Sequence, residues 1–150
     1  MGMTEALDNA CNKIVDVLRT VSGVGQVPYN PTSIQSYPLF GLVYPSDGTF
    51  TVNPIGTKKG LHNIAVDFLT KEIDPARAMA NIKPYIDLVA LKLIREVSYD
   101  SDNNPGGQFS NSIQTFASLT YNYLANVEYA GVPVTGYHFS MNEVKILSEL

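Results

Sequence analysis

Hydrophobic spacing divides the chain into a helical start, a β-rich middle and end, and one long helical stretch between them. Leu7, Cys11, Ile14, Val15 and Leu18 recur at three- and four-residue steps, while Glu5, Asp8, Asn9, Asn12, Lys13 and Asp16 fall mostly on other faces. That period predicts an amphipathic helix of about four turns. Thr4 is its candidate N-cap, and Glu5 meets the positive end of the helix dipole. Ser22, Gly23, Val24 and Gly25 end it, because glycine takes the left-handed conformation that a helix C-terminus needs.

Pro28, Pro31 and Pro38 make the next stretch an extended connector. The apolar residues 39–44 predict a strand, Pro45-Ser46-Asp47-Gly48 a turn, and Phe50-Thr51-Val52 the return strand of a hairpin. Pro54, Gly56 and Gly60 bracket a second expected turn that carries Thr57, Lys58 and Lys59.

From 61 to 96 the chain reads as a strand feeding the longest helical stretch. His62, Ile64, Val66 and Phe68 alternate with Asn63, Ala65, Asp67 and Leu69, which places Asp67 on the face away from a helix-covered core. Asp74-Pro75 supplies an N-cap and a proline at the first helical position. Met79, Ile82, Tyr85 or Ile86, Val89 and Leu93 keep helical spacing, and Pro84 inside that span predicts a kink or a split into two pieces.

Residues 98–108 read as a polar loop. Tyr121, Tyr123, Ala125, Val127 and Tyr129 then alternate with Asn122, Leu124, Asn126 and Glu128 in a strand pattern that starts between Ile113 and Tyr121. The run 130–133 breaks it. Thr135, Tyr137, Phe139 and Met141 alternate again to close a second hairpin, with Val144 and Ile146 as a candidate extension. The fold class expected is α+β: a single domain over 1–150, with a mostly antiparallel sheet packed against an N-terminal helix and one longer, kinked or split helix.

Composition narrows the function classes. The chain has 150 residues, 45% hydrophobic and 16% charged, which fits one folded core and excludes disorder by composition. Fourteen acidic and ten basic residues give a net charge of −4, the wrong sign for gripping nucleic acid. The single Cys11 rules out an intramolecular disulfide framework and fits synthesis in a reducing cytoplasm. No apolar run reaches the ~20 residues of a membrane-spanning helix, so no membrane partner is expected. Nine tyrosines and no tryptophan suit half-wet surfaces such as interfaces.

Candidate chemistry is sparse. His62 and His138 lie in different strands; they could meet across the sheet and form a crude metal site with Asp67 or Glu143, against the simpler reading of isolated strand histidines. Cys11 lies on the apolar stripe of the first helix, where a thiol packs as a small hydrophobe. The segment Gly56-Thr57-Lys58-Lys59-Gly60 lacks the order of a phosphate-binding loop. Asp47, Asp100 and Asp102 are loop aspartates without calcium-loop spacing. The expectation is therefore no enzyme, no cofactor, and no catalytic or metal residues. Tyr121, Tyr123 and Tyr129 are read as a partly wet sheet face or subunit interface.

The element order, together with the short N-terminal helix, Pro38-Leu39-Phe40-Gly41-Leu42-Val43-Tyr44-Pro45, the alternating 62–70 strand running into Asp74-Pro75, and Leu119-Thr120-Tyr121-Asn122-Tyr123, resembles the tail-terminator (tail-completion) proteins of long, flexible-tailed bacteriophages. The resemblance covers most of the chain. It implies a structural virion protein at the head-proximal end of the tail, assembled in the host cytoplasm as a homo-oligomeric ring, a hexamer in this family. Such a ring caps the tail-tube protein, stops its polymerisation and docks the head-tail connector, with DNA only as passing cargo. Under that reading Asp47, Lys58, Lys59, Tyr99, Asp100 and Asp102 are candidate subunit or tube contacts, and Asp67 and Glu128 face the lumen or an exposed sheet face. The alternatives are another tail-tube or connector component and, beyond those, a small ligand-binding domain or enzyme using His62, Tyr121 or His138.

Overall fold

A computed structural model describes residues 3–25, 27–29, 39–52, 57–71, 74–96, 116–129 and 131–149. The elements run α1 (Met3–Leu18), β1 (Leu39–Val52), β2 (Thr57–Thr70), α2 (Pro75–Ile82), α3 (Tyr85–Glu96), β3 (Ser118–Tyr129) and β4 (Val132–Glu149). The four strands form one antiparallel sheet in the order β1-β2-β4-β3. This is the α+β class that the spacing predicts. Among the described residues β2 and β4 are central, and β1 and β3 are the edges.

The helices share one face of the sheet. α1 packs across β1, β2 and β4, α2 lies on β2 and β4, and α3 packs against α1. The stripe Cys11, Ile14, Val15 and Leu18 meets Val43, Ile64, Val66, Phe68, Phe139 and Met141 in the main core. A smaller apolar cluster occupies the opposite face, where Phe40, Leu42, Leu69 and Val134 are buried with Tyr44, Leu124, Tyr129 and Val132 around them. Among the described residues, no helix residue belongs to this second cluster. β2 is consequently buried on both faces, Ala65 and Leu69 as fully as Ile64 and Val66, which corrects the expectation of a half-wet strand.

The long helical stretch is split. α2 ends at Ile82, with the Lys83 N–H donating to the Met79 carbonyl at 2.9 Å, and α3 restarts after Pro84. A proline has no N–H and its ring clashes with the preceding turn, so the chain breaks there. Pro75 takes the first helical position after Asp74, which is extended (φ −72, ψ 118) but makes no side-chain capping bond; the cap is one of position only.

The first hairpin differs most from expectation. β1 does not turn at Pro45-Ser46-Asp47-Gly48 but runs on to Val52, with a register shift between Pro45 and Asp47. The extra residue is Ser46, next to Pro45, whose missing N–H is tolerated on an edge strand. Lys58 and Lys59, expected in a turn, lie instead in the ladder, opposite Val52 and Thr51 on one side and Ser148 and Leu147 on the other. The expected extension of the last strand through Val144 and Ile146 is present, carried past a bulge at Glu143, whose φ is +54. β3 starts at Ser118, and Ile113 and the 98–108 loop lie outside the described residues.

Candidate functional site

Antiparallel register places Leu42, Asp67, His138 and Asn122 in one row across all four strands on the helix-free face. Asp67 is the centre of this row. Its Oδ2 accepts a hydrogen bond from the Tyr44 hydroxyl at 2.8 Å, and its Oδ1 lies 2.5 Å from His138 Nδ1. A carboxylate only accepts, so Nδ1 carries the proton and a neutral His138 presents Nε2 as an acceptor. Burial, with the hydrogen bond and charge of Asp67 adding to it, holds the Tyr44 phenol far above its usual range. Burial and then Asp67 raise Tyr129 in the same direction. Tyr44 therefore stays a donor throughout the physiological range.

The sequence places Asp67 on the correct face but as an exposed residue, and the structure corrects the second part: Asp67 is only 8% exposed. Strand β2 is central, and Tyr44 and His138 reach over the carboxylate from the strands on either side. A polar strip continues beyond it. Asn142 Nδ2 donates to Ser118 Oγ at 3.1 Å and to Thr120 Oγ1 at 3.2 Å, and Ser140 Oγ donates to Asn142 Oδ1 at 2.8 Å.

His62 takes no part. It lies on the helix-covered side, 4% exposed, so the two histidines cannot meet. Its ring lies against Gly48 and Gly60, where a Cβ on either glycine would fall on the imidazole, and Phe50 packs edge-on at 5.3 Å. Among the described residues Nε2 has no hydrogen-bond partner, and burial lowers the pKa of the ring from its usual 6.5. Cys11 is buried as expected, its thiol pushed up to about 12 by desolvation and the nearby Asp8.

Asp47 is exposed at the β1 bulge, where its Oδ1 accepts from Asn63 Nδ2 at 2.6 Å. The other amide atom of Asn63, Oδ1, accepts from the Glu143 N–H at 3.0 Å, so one asparagine ties the β1 bulge to the β4 bulge. Glu128 is exposed opposite Pro133. Tyr99, Asp100 and Asp102 lie outside the described residues. Spacing places Tyr44 in a strand and Asn63 on the face of Asp67, but the part each plays depends on the register of β1 against β2, which local pattern does not carry.

Chemically, an imidazole oriented by a buried carboxylate can hold a proton or one ligand at Nε2. The described residues contain no group of three or more His, Cys, Asp or Glu placed to hold a metal ion. Elsewhere, a cavity of about 300 Å³ is lined by Arg19, Val24, Gly25, Val27 and Pro28. Arg19 is engaged there: its Nε donates to the Val27 carbonyl at 2.9 Å and its guanidinium stacks 4.2 Å from the Tyr29 ring centre.

The surface carries a second kind of feature. Tyr121 and Tyr123 are 53% and 43% exposed on edge strand β3, on the helix side of the sheet, and pack against Tyr137 and Phe139. Leu88, Leu91 and Ile94 form an exposed apolar stripe on α3. No helix among the described residues is long and apolar enough to cross a membrane. In comparison with known proteins, the sequence matches no protein-family model and no curated protein.

Proposed function

We propose that the protein is a structural subunit of a bacteriophage tail, a ring-forming tail terminator that caps the tail tube, stops its polymerisation and offers the docking surface for the head-tail connector. The observation that supports this reading is the form of the sheet. Helices cover one face only, and the outer strands β1 and β3 each pair on one side among the described residues. Strand edges with exposed aromatic residues are surfaces that assembly can bury. Of the element order on which the family resemblance rests, the N-terminal helix, the strand leading into the divided helical stretch and the closing pair of strands are present, while the hairpin expected over 39–52 is a single strand.

Addition of the purified protein to polymerising tail-tube protein tests the reading. Tubes should stop growing and carry a density at one end in negative stain. Tubes of unchanged length with bare ends would defeat it, and coating along the tube or binding only to the head connector would assign the protein to a neighbouring tail or connector component.

A ligand-binding role is the second reading, favoured by the contact between Asp67 and His138. It expects His138→Gln to leave tube capping intact and to abolish binding of a small ligand found by screening the wild-type protein.

A further inference from the structure

We infer that the free protein pairs with a second copy of itself through β3, edge to edge about a two-fold axis, extending each sheet into one of eight strands. The inference does not rest on the tail reading. It rests on the contrast between β1 and β3, the outermost strands among the described residues.

The β1 edge is protected. It carries Pro45, which has no N–H, a bulge between Pro45 and Asp47, and the exposed Asp47 carboxylate. Those are devices that prevent strand addition. The β3 edge has none of them before Leu124; its bulge, between Leu124 and Val127, and its exposed carboxylate, Glu128, lie at the far end. The run 118–127 contains no charged residue and no proline, and its pairing with β4 is regular from Ser118 to Leu124. It also exposes Tyr121 and Tyr123 on one face.

Neutrality selects the occupant. The whole chain carries −4, so two copies repel wherever acidic surfaces meet, and like charges opposed across strands are destabilising. An uncharged edge removes that penalty at the place of contact. The sequence is also self-complementary about Asn122. In an antiparallel pair centred there, Tyr121 of one copy lies opposite Tyr123 of the other, and the reverse pair forms symmetrically. Directly opposed residues share a face, so the two aromatic pairs form on the helix side. They extend the rows that Tyr121 makes with Phe139 and Tyr123 makes with Tyr137 inside each copy. A two-fold contact is isologous, whereas a closed cyclic ring uses head-to-tail contacts. The pair is therefore a state of the free protein, separate from any ring.

Analytical ultracentrifugation of the full chain over a wide concentration range tests the inference, with circular dichroism as the folding control. The wild type should sediment as a reversible monomer–dimer system. Tyr121→Lys with Tyr123→Lys opposes like charges and should leave only monomer, whereas Tyr121→Lys with Tyr123→Glu opposes unlike charges and should restore the dimer. Asn122→Cys, placed on the axis, should give a disulfide-linked dimer on mild oxidation, while Thr120→Cys should not, because Thr120 faces Leu124. A wild type that stays monomeric, forms larger rings or filaments, or dimerises equally well with both lysines in place would overturn the inference. Equal cross-linking at Thr120 and Asn122 would overturn the register.

Discussion

The two faces of one sheet solve the problem of burial differently, and the two histidines show how. On the helix-covered face His62 is buried over two glycines, with one ring nitrogen unpartnered among the described residues. On the other face His138 keeps partial exposure and is tied to a buried carboxylate that also accepts from Tyr44. Burial without a partner disfavours the charged imidazole, while a paired carboxylate satisfies its neighbours. One face is held by packing and the other by a short hydrogen-bonded chain over a small apolar cluster.

The largest expected effect comes from joining the faces where no side chain fits. A Cβ at Gly136 would fall on the Phe68 carbonyl oxygen and lie 2.8 Å from Leu69 Cα. Backbone cannot yield as a side-chain tip can, so Gly136→Ala should cost about 3 kcal/mol, read as a lower urea midpoint with unchanged slope. Next is the polar chain. Asp67→Ala leaves the Tyr44 hydroxyl and His138 Nδ1 without their acceptor and should cost about 2 kcal/mol by the same measurement. Tyr44→Phe, which removes a single donor, should cost less, about 1 kcal/mol.

On the packed face the expected effect is one of pH. Burial lowers the pKa of His62 below its ordinary 6.5, so as the pH falls through 6.5 the unfolded chain takes up a proton that the folded chain refuses. Stability is therefore lost toward acid and regained above pH 6.5, with a slope of at most about 1.4 kcal/mol per pH unit for one proton. His62→Phe keeps a flat ring over Gly48 and Gly60 and should flatten thermal stability between pH 5 and pH 7. An unchanged profile would place the acid sensitivity elsewhere. The smallest effect concerns Cys11. A thiol pushed up to about 12 and buried in the core should resist thiol reagents in the native protein and react on unfolding; rapid native labelling would show that α1 opens readily from the sheet.

Periodicity placed the elements well where one residue type had one meaning. The stripe Cys11, Ile14, Val15 and Leu18, the pairing of Ile64, Val66 and Phe68 on one face, and the break at Pro84 all follow from local spacing and the chemistry of proline. Pro45-Ser46-Asp47-Gly48 was legible as an irregularity but not as its kind. The same residues make a turn or an edge-strand bulge, and the choice depends on which strand pairs alongside. In the same way, Pro54, Gly56 and Gly60 read as brackets of a turn, whereas Lys58 and Lys59 lie in the ladder. The site is legible in part: the sequence groups Asp67 and His138 among the candidates, but with His62, which the structure places on the opposite face.

What the sequence determined by itself is the class of fold, the helical core stripe, the low surface charge, and the parity that puts Asp67 away from the helices. Tertiary structure alone decided that Asp67 is buried and that β3 is an edge. A strand's alternation records which residues share a face, because side chains alternate along it. It does not record how many neighbours that face has. Burial of Asp67 depends on Tyr44 and His138 arriving from β1 and β4, and exposure of Tyr121 and Tyr123 depends on β3 standing last in the order β1-β2-β4-β3. Both are facts of strand order, which is set by long-range packing and not by local pattern.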